Sequence, residues 1–247
     1  MYLSWIIPAY NEERRIAKTL REVDVYLRSR QRSGEIPSYE IIVSNSASAD
    51  RTAAVVEKLM PEIPNLGLMN LENRGKGWAV KQAMLRAHGE IRLFSDADNS
   101  TAPKYFDAMT PLFKQGYDIV ISSRNPKDSP GASRDVKEPW YREILGRLGN
   151  VIIQLFGVWG IRDTQNGFKA LKKEAAQKIF SETRIPNFAF DVEMLALARR
   201  FGYRVAVIPI RLIFEPDSKV TLQAYFKVFM DVFRIRWNLI TGKYQKR

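Results

Sequence analysis

Apolar and polar positions switch between two periods along the first half of the chain. Leu3 to Ile7 is a short apolar run stopped by Pro8, and from Asn11-Glu12-Glu13 a helical pattern carries Ile16, Leu20, Val23 and Leu27 on one face. Tyr39 to Val43 predicts a second buried strand. A turn of Ser, Asn and Ala follows, then a helix capped by Asp50 with Ala53, Val56 and Leu59 on one side. Leu66 to Leu71 reads as a third strand, Ile91 to Phe94 as a fourth and Ile119 to Ser122 as a fifth. Between the third and fourth, Gly75-Lys76-Gly77 opens a helix carrying Val80, Met84 and Ala87. Buried strands alternating with amphipathic helices predict an α/β fold, a mostly parallel central sheet covered on both faces.

Composition narrows the chemistry. A chain of 247 residues with 45% hydrophobic content suits one large domain with a full core, and no linker, repeat or low-complexity tract interrupts it. Cysteine is absent, which excludes disulfides, thiolate catalysis and cysteine zinc sites. The single histidine, His88, sits beside Gly89 at the end of a helical pattern and reads as a cap or surface residue, so a Ser-His-Asp triad is disfavoured. The net charge of +12 calls for an anionic partner: nucleic acid, a phosphorylated substrate or an acidic membrane face. Met1 to Pro8 lacks the basic start and the length of a signal peptide, and no run approaches the roughly 20 apolar residues of a membrane span. A cytoplasmic protein that works on a membrane surface is expected.

Phe94-Ser95-Asp96-Ala97-Asp98-Asn99-Ser100-Thr101 reads as strand, acidic turn and helix start. In an extended turn, residues two apart project to one side, so Asp96 and Asp98 face one point beyond the carboxyl end of a buried strand, where open α/β sheets bind ligands. Two hard oxygen donors suit Mg²⁺ or Mn²⁺ holding a diphosphate, although Asp and Asn are also common turn residues. Asn73-Arg74-Gly75-Lys76-Gly77 is either an ordinary strand-to-helix turn or a loop that holds phosphate. It lacks the Walker A spacing.

Five stretches occur in order: Ile7 to Glu13, Asn73 to Gly77, Ser95 to Asp98, Ser122-Ser123-Arg124 and Asp163-Thr164-Gln165-Asn166-Gly167-Phe168-Lys169. Together they resemble the family-2 inverting glycosyltransferases of the GT-A fold, in particular the polyprenyl-phosphate (dolichyl-phosphate) glucosyl- and mannosyltransferases. The resemblance runs from Leu3 to about Lys219. It implies that Pro8, Ala9, Tyr10, Glu12, Asn45 and Lys76 line a nucleotide pocket. Asp96 and Asp98 would meet the diphosphate through a divalent cation, Mg²⁺ or Mn²⁺, with Asp98 the direct ligand. Gln165 and Asp163 would sit beside sugar or acceptor.

Three departures stand out. Where the family usually shows Val-Asp-Asp-Gly-Ser, this chain has Val43-Ser44-Asn45-Ser46-Ala47, which replaces a carboxylate acceptor by a neutral amide. Ser100 stands where some relatives have glutamine. An aromatic and histidine pair is replaced around Leu212 and Ile213. These changes imply altered donor specificity.

A phosphate monoester is already ionised at neutral pH, so a lipid-phosphate acceptor needs cations to position it more than a base to activate it. Arg124, Arg142 and Arg147 are the candidates. Asp191 and Glu193 are either a base for a hydroxyl acceptor or acids complementing a helix N-terminus. From Glu143 to Phe156, the residues Glu143, Arg147, Asn150 and Gln154 fall on one helical stripe, and Lys227, Asp231, Arg234 and Asn238 repeat the arrangement near the C-terminus. There Leu222, Phe226, Phe229, Phe233, Trp237 and Ile240 line another face, while Tyr225, Val228, Val232 and Ile235 widen it. Residues 219–247 hold seven Lys or Arg against the one acid, Asp231. Such a helix packs in a core or homodimer, or lies in a headgroup layer.

The sequence therefore predicts a GT-A domain over residues 1–220 and a C-terminal basic amphipathic helix over 221–247, packed on the domain or a membrane surface. The expected reaction is inverting hexosyl transfer from a nucleotide sugar to a polyprenyl phosphate, with UDP-glucose as donor. The alternatives are a GDP-mannose enzyme and a non-catalytic relative that binds membranes or partner proteins. Nucleic acid is not an expected partner, because the aromatics follow apolar helix faces instead of a basic stripe.

Overall fold

The computed structural model describes residues 1–134, 146, 148–212 and 222–244. Arg142, Arg147, Glu143 and Ile213 lie outside them. The chain runs β1 (Leu3–Ala9), α1 (Ile16–Arg32), β2 (Tyr39–Ser46), α2 (Thr52–Leu59), β3 (Leu66–Leu71), α3 (Lys76–Arg86) and β4 (Ile91–Ser95). A 3-10 turn, Pro103–Tyr105, leads into α4 (Phe106–Lys114), then β5 (Ile119–Ser123) and β6 (Ser133–Arg134). Helix α5 covers 148–157 and ends in a π-helical turn, Ile153–Gly157. The chain continues with β7 (Phe168–Lys172), α6 (Lys173–Glu182), α7 (Phe190–Arg200), β8 (Val205–Pro209), β9 (Arg211–Leu212) and α8 (Leu222–Ile240).

Seven strands form one sheet in the order β3-β2-β1-β4-β7-β5-β8. Every pairing is parallel except those of β7, which runs antiparallel between β4 and β5. Strands β6 and β9 pair separately. All residues of β1 are buried because helices cover both faces of the sheet. On one side Ile6 and Phe94 pack with Val80 of α3, Phe180 of α6 and Leu195 of α7. On the other, Trp5 and Phe168 pack with Leu20 of α1, Val56 of α2 and Phe106 of α4. Trp5 meets the Phe168 ring edge-on at 5.6 Å and donates its indole N–H to Ser95 Oγ at 2.8 Å, which ties β1 to the end of β4.

After β1 the chain moves outward through β2 and β3, and β4 returns on the opposite side of β1. The crevice beyond the carboxyl ends of β1 and β4 is thus a topological switch point. Three non-glycine residues with left-handed backbone gather around it: Asn11 after β1 (φ 54°), Ala47 after β2 (φ 51°) and Asn99 after β4 (φ 51°). Such conformations are costly for a side-chain-bearing residue and cluster where a loop serves a site.

The two amphipathic segments are oriented by what they can bury. In α8, Asp231, Val232, Ile235 and Asn238 face inward, whereas Phe226, Met230, Phe233, Trp237 and Ile240 are exposed. In α5 the stripe residues Asn150 and Gln154 turn to the protein, donating to the Arg162 and Ile161 carbonyls, and leave Val151 and Leu155 outside. The Phe156 and Phe233 rings meet at 4.9 Å and join the two helices into one exposed apolar face. Among the described residues no helix is long and apolar enough to cross a membrane.

Candidate functional site

The acidic turn sits where β4 ends. Asp96 donates its N–H to the Gly167 carbonyl at 3.0 Å, and glycine is required opposite it, since a Cβ on Gly167 would overlap the Asp96 carboxylate. Asp98 Oδ1 accepts the Ser100 N–H at 3.0 Å. Lys76 places Nζ 2.5 Å from Asp96 Oδ1. Burial works against that ammonium, but Asp96, Asp191 and Asp98 outweigh it and hold the Lys76 pKa above the ordinary lysine value. The two carboxylates therefore act on one cation.

Lys76 is carried there by the glycine turn. Gly75 has φ +136°, a conformation open to glycine alone, and a side chain on it would strike the Pro186 carbonyl. Its N–H donates to Ser46 Oγ at 2.9 Å, which anchors the turn to the end of β2. A Cβ on Gly77 would lie 2.6 Å from the Ile185 carbonyl oxygen, so α3 starts tight against the 185–187 backbone. The Trp78 N–H reaches the Pro186 carbonyl at 3.1 Å. With both glycines packed in this way, the first turn of α3 points its lysine at the acidic turn.

Beyond β1, Pro8 and Ala9 lie in register with Ser44 and Asn45 of β2. Tyr10 is exposed, and the Arg74 guanidinium stands 5.3 Å over its ring in a cation–π contact. The Glu12 carboxylate holds Arg15 Nε at 2.9 Å while its own N–H donates to Thr52 Oγ1 at 2.8 Å. Asn45 is buried: its Nδ2 donates to Asn70 Oδ1 at 2.8 Å and its Oδ1 accepts the Ser48 N–H at 3.4 Å. The amide thus has a local role in joining β2 to β3 and to its own turn.

Arg124 and Asp163 come together as a fork, with Nε to Oδ2 at 2.8 Å and Nη2 to Oδ1 at 2.6 Å, and the Arg124 N–H adds a third bond at 2.7 Å. Burial alone would raise Asp163, but the guanidinium beside it holds its carboxyl below the usual range. Asp128, unnoticed in the sequence, accepts Ser123 Oγ at 2.9 Å and the Arg162 and Asp163 N–H groups at 2.8 Å, fixing this loop to the end of β5. Gln165 donates to the Phe188 carbonyl at 3.4 Å on the exposed side.

The two acids of α7 have inward tasks. Glu193 is fully buried and accepts the Arg184 and Ile185 N–H groups at 2.9 Å and the Tyr244 hydroxyl at 2.6 Å. Burial raises its pKa against those bonds. Asp191 meets Lys169 Nζ at 2.5 Å, with side chains 3% and 0% exposed. Burial raises Asp191 and lowers Lys169, each opposed by its partner. Lys169 lies in the Asp163 to Lys169 stretch, whose pattern assigns it no role. Its signal is a lysine flanked by Gly167-Phe168 and Ala170-Leu171, a charge inside an apolar strand.

Comparison with known proteins agrees with this architecture. The model of the family described as "Glycosyl transferase family 2" matches residues 4–180. Dolichyl-phosphate beta-glucosyltransferase ALG5A of Trichomonas vaginalis is 34% identical over 241 residues, 95% of this chain and 73% of that protein. The dolichyl-phosphate beta-glucosyltransferase of Dictyostelium discoideum is 34% identical over 250 residues, covering 98% and 76%. The Homo sapiens enzyme of the same name is 30% identical over 254 residues, covering 98% and 77%. Among solved structures, glucosyl-3-phosphoglycerate synthase from Mycobacterium tuberculosis, crystallised with Mn²⁺, UDP and phosphoglyceric acid, superposes with a TM-score of 0.69 at 17% identity, over 95% of this chain and 76% of that one. That likeness concerns the fold, which is of the GT-A type. An acidic turn and a lysine-bearing glycine turn at the switch point of such a sheet, together with a family match over most of the sequence, make this chain a glycosyltransferase belonging to glycosyl transferase family 2.

Proposed function

We propose that this chain transfers glucose from UDP-glucose to the phosphate of dolichyl phosphate or another polyprenyl phosphate, with inversion at the anomeric carbon, on the cytoplasmic face of a membrane. The observation that carries the reading is the likeness to dolichyl-phosphate beta-glucosyltransferases over 95–98% of the chain. The site is consistent with it. Pro8, Ala9, Tyr10, Glu12 and Asn45 line the nucleotide side, and Lys76 provides a cation for the diphosphate.

The donor set fits a divalent cation. Asp96 already presents Oδ1 to a positive charge, that of Lys76, and Asp98 bears on the same ammonium. No cluster of three or more His, Cys, Asp or Glu that could hold a metal occurs among the described residues, so the described residues form no closed cage. Two carboxylates with the remaining positions left to diphosphate and water are what Mg²⁺ or Mn²⁺ accepts, and the neighbour crystallised with UDP contained Mn²⁺. When bound, such a cation neutralises the charge that grows on the leaving diphosphate.

The remaining work falls to positioning. Arg124, oriented by Asp163, and Gln165 stand on the acceptor side, and Arg142 and Arg147 are the further candidates for the acceptor phosphate. Because that phosphate arrives ionised, no base is required, which accords with Asp191 and Glu193 being committed to buried partners. The exposed apolar face of α5 and α8, rimmed by Lys227, Arg234 and Arg236, seats the enzyme on an anionic lipid surface.

Calorimetry with UDP and GDP, each with and without Mn²⁺, tests the donor half. Cation-dependent binding of UDP in preference to GDP is expected. Preference for GDP would replace the donor, and no binding of either would overturn the reading.

A further inference from the structure

The Lys169 and Asp191 pair takes no part in the proposed transfer, yet it is costly to keep. Each ion gives up its hydration on burial, and an apolar pair of similar size would join β7 to α7 as well or better. Its location suggests a use. Lys169 is opposite Phe94 in the β4 and β7 register, and its ammonium also donates to the Asn166 carbonyl, next to the glycine that carries the Asp96 N–H bond. On the other side, the start of α3 abuts the start of α7: a Cβ on Gly77, next to Lys76, would lie 2.6 Å from the Cβ of Phe190, next to Asp191, and the Asp191 carboxylate adds to the pull of Asp96 and Asp98 on the Lys76 ammonium. Charges alternate from the core to the site: Lys169, Asp191, Lys76, Asp96.

We propose, resting on the cation reading above, that Asp191 is a positioning residue for the divalent cation: it receives the pull of Lys76 when the cation takes Asp96, and Lys169 holds Asp191 in place to do so. In the structure Lys76 Nζ stands 2.5 Å from Asp96 Oδ1, so ammonium and cation compete for one carboxylate oxygen. A second carboxylate within electrostatic reach gives the displaced ammonium somewhere to turn. Without it, Lys76 stays on Asp96 and the cation binds against a positive charge.

The test is Mn²⁺ affinity of the full chain by calorimetry in the presence of UDP, a readout independent of turnover. Asp191→Asn and the double variant Lys169→Met with Asp191→Leu should each weaken Mn²⁺ binding by about tenfold, the order expected when the unit charge of the Lys76 ammonium stays on the carboxylate the cation needs. The double variant leaves no buried ion behind, so its melting temperature should match or exceed that of the parent. In a Lys76→Met background the Asp191→Asn effect should shrink below twofold, because the competing ammonium is gone. A merely structural role would not depend on Lys76. A folded double variant with parental Mn²⁺ affinity, or a tenfold loss that persists without Lys76, overturns the proposal. Failure of the parent itself to bind Mn²⁺ overturns the cation reading and this inference with it.

Discussion

Replacing Gly167 with alanine is the smallest change that reaches the acidic turn. The new Cβ would fall closer than 3.0 Å to the Asp96 carboxyl atoms, whereas ordinary contact begins at 3.4 Å. Something must yield by about an ångström. The backbone is poorly placed to do it, because β7 is locked between β4 and β5 and Phe168 is buried against Trp5. The Asp96 side chain is 28% exposed and is the part that can swing. Overpacking a closed site costs about 1–3 kcal/mol, and with a half-buried side chain able to give way the low end, about 1 kcal/mol, is expected. Function suffers more, since a 1 Å misplacement of a positioning group costs on the order of 100-fold in rate. Gly167→Ala should therefore unfold only a few degrees lower while losing about 100-fold in glucose transfer to a short polyprenyl phosphate, with Mn²⁺ affinity falling in parallel. Parental turnover and parental Mn²⁺ affinity in a variant of that stability would refute the assignment of Asp96 to the cation.

Three other outcomes are expected. Asp98→Ala should abolish cation-dependent transfer while leaving the melting temperature within a few degrees, as a change at a half-buried turn does. Arg124→Ala strands the buried Asp163 and should cost about 3 kcal/mol in a denaturant titration at neutral pH. The Asp163 pKa is depressed in the folded state, so its contribution is complete above the unfolded carboxyl value of about 3.9 and fades as pH falls through the lower folded value. The variant should accordingly show a shallower acid slope in that window than the parent. Finally, Leu155→Asp with Trp237→Asp, on the outer apolar face, should release the protein from phosphatidylserine vesicles in a sedimentation assay without lowering its melting temperature, whereas unchanged binding would discount that face.

The five amino-proximal strands were legible because each is an apolar run bounded by turn chemistry. The acidic turn was legible because it follows the fourth run at once. The sheet is mostly parallel as expected, but its one antiparallel strand, β7 between β4 and β5, was not legible. Phe168 to Lys172 contains two lysines in five residues, which hides a buried strand, and Lys169 finds its partner 22 residues away, beyond the reach of local pattern. Arg124 and Asp163 belong to separate motifs 39 residues apart, and only the loop held by Asp128 brings them together. Helical periodicity located the stripes of α5 and α8 but not their sense. Asn150 and Gln154 are drawn inward by backbone carbonyls, and in α8 the apolar line through Phe226, Phe233 and Trp237 is the one left outside, while Val232 and Ile235 pack on the domain. A periodicity marks two faces, and the available partners decide which is buried.

Glucosyl transfer to a lipid phosphate is read by following labelled glucose from UDP-glucose into organic-extractable product. With MnCl₂ and a short polyprenyl phosphate in anionic vesicles, the full chain should form a single glycolipid that is lost on chelation and in Asp98→Ala. Label that stays in the aqueous phase under these conditions, with the protein folded and UDP bound, would rule out that transfer.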